Sequence, residues 1–295
     1  MSGEESVWQA QRGEFADRWI ARVGYGAMQL GASGGPAAAE RAHVVLRAAV
    51  EHGVEHIDTA AFYGAGATNR LIREALAPYR NGLVIATKIG VRWSGTERVP
   101  AQRPEELRAG VEDNLRTLGL ERLGLVNLRR MDSGRVVATG DQQVDLDDQL
   151  AELVRLREEG KIAALGVSDV SADLVARALP AGIVGVQNLY NLLDRTHEPV
   201  LRLCRESGIA FVPYFPLGSA VSRLPRVTEN ATVAEIAGKH GASPAQVAIA
   251  WLLALGPHVF PIPGTSTVAH LLDNIGAASV QLDEGDVRAL GALAN

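Results

Sequence analysis

Short apolar runs alternate with longer amphipathic stretches along most of the chain. The short runs are rich in Val, Ile and Leu and carry few charges, which is typical of strands covered on both faces by helices. The stretches between them repeat apolar residues every three or four positions, as amphipathic helices do. The pattern predicts eight strands, at residues 21–26, 55–59, 83–88, 123–128, 162–167, 184–188, 209–213 and 258–262. It predicts helices between them at residues 39–52, 67–78, 104–118, 147–159, 172–178, 199–207 and 268–277.

Repeated strand–helix units without a break in composition predict an α/β fold, a (β/α)₈ TIM barrel that forms a single domain over residues 1–295. The alternative, an open doubly wound sheet, requires a Gly-x-Gly-x-x-Gly turn that opens a helix after the first strand. The segment from Gly24 to Met28 lacks the third glycine and the helix. Residues from about 1–20 are predicted to form a hairpin that closes the barrel floor. The polar, aperiodic segment at about 129–145 is predicted to be a long loop on the active-site face.

Composition and charge narrow the class of protein. The 295 residues are 47% hydrophobic and 21% charged, an ordinary globular composition. A net charge of −5 argues against a nucleic-acid surface, which needs a clustered basic face. No apolar run reaches the roughly 18 residues of a bilayer-spanning helix, and the first residues lack the apolar segment of a signal peptide. The single cysteine, Cys204, fits a reducing compartment, so we expect a cytoplasmic protein with no membrane or nucleic-acid partner.

Polar residues at the ends of neighbouring predicted strands suggest catalysis. Asp58 and Tyr63 follow the second strand, and Lys88 ends the third; in such a barrel the active site lies at the carboxyl ends of the strands. Reducing a carbonyl group requires a proton for its oxygen, and a tyrosine with its ordinary pKa of about 10 donates one poorly at neutral pH. A nearby ammonium lowers such a pKa. We therefore predict Tyr63 as the acid, Lys88 as the residue that tunes it and Asp58 as the partner of Lys88. Taken alone, an Asp, Tyr or Lys in such a loop is more often a helix cap, an aromatic ring packed against its neighbours or a solvent-exposed charge.

The same residues lie in a family motif. The segment Gly-Val-Glu-His-Ile-Asp-Thr-Ala-Ala-Phe-Tyr-Gly, residues 53–64, resembles the signature of the aldo-keto reductase family around its catalytic Asp and Tyr. Thr87-Lys88 fits the family's lysine. The resemblance extends over roughly residues 20–280 in the family's order. It implies a barrel enzyme that reduces an aldehyde or ketone to an alcohol with NADP(H), without a Rossmann fold.

The resemblance also implies where the cofactor binds. Residues 166–168 and 187–191 are similar to the strand ends that hold the nicotinamide carboxamide, and residues 213–218 resemble the segment whose tyrosine stacks on the nicotinamide ring. Residues 262–266, with His270 and Asn274, resemble the adenosine-phosphate site. The implied cofactor-binding residues are Gly26, Met28, Asp58, Ser168, Asp169, Gln187, Tyr214, Phe215, Leu217, Gly264, Thr265, Ser266, His270 and Asn274.

Arg129 departs from the family pattern, which usually has a histidine after the fourth strand. An arginine stays charged and offers a fork of donors. We predict Arg129 as the fourth catalytic residue, which polarises the substrate carbonyl or binds an anionic substrate group; the alternative is a surface arginine that points into solvent. A sugar or pyridoxal-type carbonyl fits such a site, and some bacterial relatives without the histidine resemble pyridoxal reductases.

Two further departures concern the cofactor. Asp169 stands where the family often has asparagine, and a carboxylate accepts hydrogen bonds but cannot donate them. Gly264 and His270 replace the lysine and arginine that usually hold the 2′-phosphate. Thr265, Ser266 and the following helix N-terminus still offer donors to a phosphate, while His270 adds charge only when protonated. We expect NADPH to be the cofactor, with a weaker preference over NADH than is usual.

Two other functions fit parts of the sequence. Some members of the family are nicotinamide-binding regulatory subunits of ion channels, with little turnover. A non-redox aldolase would use Lys88 as a Schiff base, in an apolar pocket without Asp58 beside it. The histidines show no metal-ligand spacing, so no metal is predicted. The substrate is expected to be a small carbonyl compound, and the oligomeric state is left open.

Overall fold

Parallel strands and helices alternate along the chain. The computed structural model describes residues 11–32, 35–133, 136–218 and 224–294. Its strands are β1 (Arg12–Phe15), β2 (Arg18–Ala21), β3 (Tyr25–Gly26), β4 (His56–Asp58), β5 (Val84–Ile89), β6 (Val91–Ser94), β7 (Glu97–Pro100), β8 (Leu123–Arg129), β9 (Ile162–Ser168), β10 (Ile183–Leu189) and β11 (Ala210–Tyr214). Its α-helices are α1 (Pro36–Glu51), α2 (Ala67–Leu76), α3 (Pro104–Leu118), α4 (Leu146–Glu158), α5 (Ala172–Ala178), α6 (Glu198–Glu206), α7 (Ala231–His240), α8 (Pro244–Ala254), α9 (Val268–Gly276) and α10 (Glu284–Gly291).

A closed barrel forms from the parallel strands and one further segment. The strands pair in the order β3-β4-β5-β8-β9-β10-β11, and the extended segment 258–263 joins the two edges of this sheet. At one edge the N–H of Phe260 donates to the carbonyl of Phe211 at 2.9 Å, and at the other edge the N–H of Gly24 donates to the carbonyl of Pro261 at 2.9 Å. The predicted (β/α)₈ barrel is therefore confirmed, and segment 258–263 occupies its eighth strand position.

The predicted strand at residues 258–262 is not a regular strand. It makes a single parallel bridge, between Val259 and Phe211. Pro261 and Pro263 have no N–H, so neither can donate to β3. At this seam the two prolines act only as acceptors. The N–H of Gly24 donates to the carbonyl of Pro261, and the N–H of Gly26 donates to the carbonyl of Pro263 at 3.2 Å.

Side chains alternate along each barrel strand between two apolar layers. Those that point outward, such as Val126 and Leu165, pack under the helices. Those that point inward form a smaller core inside the barrel. The antiparallel hairpin β1–β2 packs into the floor of this inner core through Phe15, whose ring stacks on Phe260 with centroids 5.0 Å apart. Residues 1–10 of the predicted hairpin lie outside the described residues.

The same alternation brings polar side chains to the carboxyl ends of the strands. On β5 the inward positions Val84 and Ala86 belong to the inner core, so the next one along, Lys88, lies at the mouth. On β8 the inward series begins with Leu125 and ends at Arg129. On β9 it ends at Ser168. The mouth of the barrel is therefore polar, whereas its interior is apolar.

Two connections border the mouth. An antiparallel hairpin that the sequence analysis did not predict, β6–β7, follows β5; its Trp93 donates from Nε1 to the carbonyl of Phe62 at 2.9 Å. After Arg129 the chain is irregular as far as a 3₁₀ turn at Gly140–Gln142, and residues 134–135 of this connection lie outside the described residues. Within the ranges that the structure describes, no helix has both the length and the apolar character needed to cross a bilayer.

Candidate active site

A buried ion pair lies at the barrel mouth. Lys88 Nζ donates to Asp58 Oδ2 at 2.5 Å and to the carbonyl of Thr59 at 3.1 Å, and both charged side chains are almost fully buried. Burial lowers the pKa of Lys88, but Asp58 and then Tyr63 raise it, and the net pKa lies above the ordinary lysine value. Lys88 is therefore an ammonium at neutral pH. A charged, paired lysine disfavours the Schiff-base alternative, which requires a neutral amine.

Tyr63 lies above this pair. It begins the 3₁₀ turn Tyr63–Gly66 that follows β4, and Lys88 Nζ is 4.9 Å from the centroid of its ring. The turn packs closely on the backbone before α1, because a Cβ on Gly64 would meet the carbonyl oxygen of Gly31 at 2.7 Å. Gly64 also has a φ of 55°, which glycine adopts without steric cost. The structure thus brings Asp58, Tyr63 and Lys88 together.

Arg129 turns toward the neighbouring strand ends. Its guanidinium forms an ion pair with Asp169, the residue directly after β9, and lies 5.7 Å from the ring centroid of Tyr214 at the end of β11. The other carboxylate oxygen of Asp169 accepts a 2.5 Å hydrogen bond from the Tyr214 hydroxyl. Burial lowers the pKa of Arg129, whereas Asp169, Tyr214 and Tyr63 raise it to a net value above that of a free arginine. Arg129 is therefore a fixed cation at the mouth rather than a solvated surface residue.

His56 lies on β4, two residues before Asp58, and faces the barrel interior. Its side chain is buried, its ring lies 4.6 Å from that of Phe15, and neither ring nitrogen has a hydrogen-bond partner. Burial lowers the pKa of His56 to about 4; Asp58 opposes this shift and Lys88 adds to it. The imidazole is neutral at physiological pH, so Lys88 is the cation of this part of the interior.

The residues predicted to hold the adenosine phosphate lie at the seam of the barrel. A Cβ on Gly26 would meet the carbonyl oxygen of Ile262 at 2.7 Å, and one on Gly264 would meet that of Gly26 at 2.7 Å. Glycine at positions 26 and 264 therefore allows the backbone at the end of β3 to come into van der Waals contact with the backbone around residues 262–264. Beyond them, Thr267 caps the nine-residue helix α9. Around this helix N-terminus, Ser266 and His270 are exposed, while Thr265 and Asn274 are buried.

Comparison with known proteins places this site in a family. The sequence profile of the aldo/keto reductase family matches residues 22–295. The chain belongs to this family. Pyridoxine 4-dehydrogenase of Escherichia coli is 43% identical over 271 residues, which cover 90% of this chain and 92% of that protein. A probable aldo-keto reductase of Glycine max is 34% identical over 299 residues, which cover 91% of this chain and 84% of that protein.

Solved structures share the fold of this aldo/keto reductase. A thermostable aldo-keto reductase in complex with the inhibitor epalrestat superposes with a TM-score of 0.81 at 29% identity, over 96% of this chain and 99% of the other. An aldo-keto reductase of Klebsiella pneumoniae in complex with NADPH gives a TM-score of 0.82 at 23% identity, over 96% and 94% of the two chains. The predicted family, fold and enzyme class, an NADP(H)-dependent oxidoreductase that acts on carbonyl groups, are confirmed.

The aldo/keto reductase has two buried polar atoms that fit the carboxamide of a nicotinamide. Ser168 Oγ and Gln187 Oε1 are buried without a hydrogen-bond partner, and the two residues are register partners on β9 and β10. Buried polar atoms are rarely left unpaired in proteins. The serine hydroxyl can donate to the oxygen of a primary carboxamide, and the glutamine oxygen can accept from its nitrogen. The residues present therefore fit the cofactor of this family.

The remaining predicted cofactor residues lie on loops around the mouth. Met28 is half-buried in the 3₁₀ turn after β3. Phe215 follows Tyr214 with a φ of 52°, and its carbonyl accepts from the side chain of Asn191 at 3.0 Å. Leu217 is also half-buried. In the strand order the loops after β3 and after β11 lie on the two sides of the seam.

Sequence reasoning missed two hydrogen bonds of the site. Trp93 is 37% exposed on the unpredicted hairpin, yet it is fixed to the residue before Tyr63 by its bond to Phe62. Gln187 was predicted only as a cofactor residue, but it also donates to Asp58 Oδ1 at 2.7 Å. The alternation along β10 predicts an inward side chain at this position. Whether this side chain reaches Asp58 on β4 depends on the width of the closed barrel, which the sequence does not show.

Proposed function

We propose that this aldo/keto reductase interconverts a pyridoxal-type aromatic aldehyde and its alcohol, with Tyr63 as the proton donor to the aldehyde oxygen. The observation that carries the proposal is the charged Lys88, paired with Asp58 at 2.5 Å and lying 4.9 Å from the ring centroid of Tyr63. The substrate class is supported by the 43% identity to pyridoxine 4-dehydrogenase over nearly the whole of both chains.

The residues of this chain divide the proton chemistry between them. NADPH, when bound, supplies the hydride that reduces the carbonyl carbon. Tyr63 donates its hydroxyl proton to the carbonyl oxygen as that bond is reduced, and the ammonium of Lys88 stabilises the phenolate that remains. Asp58 keeps Lys88 charged and fixed in place. In the oxidative direction the Tyr63 phenolate takes the proton from the alcohol.

Arg129 is proposed to bind the substrate. Pyridoxal carries an acidic ring hydroxyl on the carbon next to the one that bears the aldehyde, so its two oxygens lie side by side. A guanidinium presents parallel N–H donors that suit such a pair. Arg129 is held at the mouth close enough to Tyr63 for the phenol to affect its pKa. Arginine in this place thus favours an aldehyde with a neighbouring anionic oxygen.

The cofactor is proposed to lie across the mouth from Ser168 to α9. Ser168 and Gln187 would hold the nicotinamide carboxamide, and the ring of Tyr214 would stack on the nicotinamide. Thr265, Ser266, His270 and the free N–H groups of the α9 N-terminus would hold the adenosine phosphate. Because Gly264 and His270 replace the family's usual lysine and arginine, the preference for NADPH over NADH is expected to be weaker than is usual in the family.

NADPH consumption with pyridoxal tests the proposal. Tyr63→Phe is expected to lower kcat by about 10²- to 10⁴-fold, the usual contribution of a general acid, and to leave the Kd for NADPH within about twofold. Tyr79→Phe is the matched control, because the Tyr79 hydroxyl donates to the carbonyl of Leu118, at the end of α3. Full turnover by Tyr63→Phe would remove Tyr63 from the chemistry. A wild-type enzyme that reduces other aldehydes but not pyridoxal would reject the substrate class alone.

A further inference from the structure

We propose that Asp169 is a positioning residue, which holds Arg129 and Tyr214 in place at the mouth and does not bind the nicotinamide carboxamide. This rests on the proposed role of Arg129 in substrate binding. It replaces the expectation, carried by resemblance, that the residue after Ser168 belongs to the cofactor site. The family's asparagine can donate a hydrogen bond from this position, and an aspartate cannot.

The carboxylate of Asp169 is already engaged on both oxygens. Oδ1 accepts from the Tyr214 hydroxyl at 2.5 Å, and Oδ2 forms the ion pair with Nη2 of Arg129. The neighbouring Ser168 Oγ and Gln187 Oε1 are instead buried without partners. One hydroxyl and one amide oxygen can pair with the oxygen and one N–H of a primary carboxamide, so both ends of the carboxamide have a partner without Asp169.

The backbone aims this carboxylate at the mouth. Asp169 has a φ of 56°, in the left-handed region that residues other than glycine seldom occupy and that aspartate tolerates better than most. Its N–H donates to the carbonyl of Gln187 at 3.2 Å. The Asn188 side chain then brackets Val170, accepting from its N–H at 3.2 Å and donating to its carbonyl at 2.7 Å. The loop after β9 is thus fixed by β10, and such a conformation persists only where its surroundings hold it.

The carboxylate of Asp169 fixes the position of the Arg129 guanidinium. An arginine side chain has several rotatable bonds, and one that is partly exposed, as Arg129 is, is otherwise drawn into solvent. Asp169 ties its guanidinium to the end of β9, and the Tyr214 ring packs beside it. One carboxylate therefore sets the geometry of three strand ends, β8, β9 and β11.

A double-mutant cycle tests the coupling. Asp169→Asn keeps an acceptor for the Tyr214 hydroxyl but removes the charge that holds Arg129. We expect kcat/KM for pyridoxal to fall about tenfold, the effect of losing a charged hydrogen bond, and the Kd for NADPH to change by less than about twofold. Arg129→Met should lower kcat/KM at least as much, and R129M/D169N should match Arg129→Met alone, because the charge of Asp169 then has no guanidinium to hold and the asparagine still accepts from Tyr214. Asp169→Glu, which restores the charge, should recover part of the loss.

The controls separate positioning from other roles. Asp132→Asn breaks an ion pair of the same kind, to Arg130, one residue further along the chain, and should leave kcat/KM for pyridoxal near the wild-type value. The cycle is repeated with 2-hydroxybenzaldehyde, which keeps a hydroxyl beside the aldehyde, so that the coupling stays measurable if pyridoxal is not a substrate and the proposed substrate class fails. The positioning role is overturned if Asp169→Ala, which removes every polar group of the side chain, weakens NADPH binding several-fold, if the activity of Asp169→Asn is unchanged, or if the two losses multiply in R129M/D169N.

Discussion

Gln187 donates a 2.7 Å hydrogen bond from β10 to Asp58 on β4, across the barrel mouth. The other oxygen of Asp58 accepts from Lys88 on β5, so each carboxylate oxygen has a buried donor. Because a carboxylate only accepts, the amide nitrogen of Gln187 must face Asp58, which leaves its oxygen free for another group. The arrangement fixes both the charge of the ion pair and the orientation of a side chain proposed to bind the cofactor.

The Asp58–Lys88 pair should matter more for activity than for stability. Lys88→Met or Asp58→Asn alone leaves one buried charge without its partner and is expected to cost about 3–5 kcal/mol in the free energy of unfolding. The double variant K88M/D58N, with no buried charge, should recover most of that loss in urea unfolding and remain inactive with NADPH and an aldehyde. Additive losses of stability in the double variant would show that the pair itself stabilises the fold.

Ser168→Ala should separate cofactor binding from folding. The buried hydroxyl has no protein partner, so its removal should leave the urea midpoint unchanged, while the Kd for NADPH rises about two- to tenfold, the value of one hydrogen bond. Ser171→Ala is the matched control with the opposite result. Ser171 caps α5 by accepting from the N–H of Leu174, so its loss should cost about 1 kcal/mol of stability without weakening NADPH binding. Fluorescence quenching of NADPH and urea titration measure the two effects. A lower midpoint in Ser168→Ala would contradict the assignment.

Arg129 should discriminate between aldehydes by their neighbouring oxygen. We expect Arg129→Met to lower kcat/KM about 10- to 100-fold for 3-hydroxypyridine-4-carbaldehyde, which loses a charged hydrogen bond, and much less for pyridine-4-carbaldehyde, which lacks the hydroxyl. The ratio of the two kcat/KM values is the measurement, because a general loss of fold or cofactor cancels in it. An equal loss for both compounds would mean that Arg129 acts on the carbonyl alone.

His56 should make the fold sensitive to acid. Its pKa is about 4 in the folded protein and about 6.5 in an unfolded chain, so the unfolded state binds more protons between these values and stability falls as the pH falls through this window. The contribution is present above pH 6.5 and amounts to about 3 kcal/mol lost by pH 4. Urea unfolding at pH 7 and pH 4 should therefore show a smaller acid loss for His56→Gln than for the wild type. Equal losses in the two proteins would show that His56 can be protonated in the fold.

The sequence predicts the regular part of the barrel well. Strands covered on both faces appear as near-continuous apolar runs, and the helices predicted at residues 104–118 and 172–178 coincide with α3 and α5. Two elements lack that signal. Segment 258–263, at the eighth strand position, contains Pro261 and Pro263, which interrupt its hydrogen bonding. The exposed hairpin β6–β7 has no apolar run. Its turn, at Ser94-Gly95, does carry a recognisable dipeptide, and Gly95 has the positive φ expected there.

The candidate site divides in the same way. Asp58, Tyr63 and Lys88 could be grouped from the sequence because neighbouring parallel strands end at the same side of a barrel. The direction of the Arg129 side chain could not be predicted, because it depends on the left-handed conformation of Asp169 and on Tyr214 at the end of β11. Cys204 is fully buried, and burial raises the pKa of its thiol to about 12.

The seam between β3 and segment 258–263 joins two parts of the chain that are far apart in the sequence. The hydroxyl of Tyr25 donates to the carbonyl of Thr265 at 2.5 Å, across 240 positions of sequence. During synthesis the ring of strands can therefore close only after segment 258–263 has left the ribosome, and until then β3 and β11 are open sheet edges that can pair wrongly. Since the proposed cofactor pocket spans this join, nucleotide binding would report that the seam has closed.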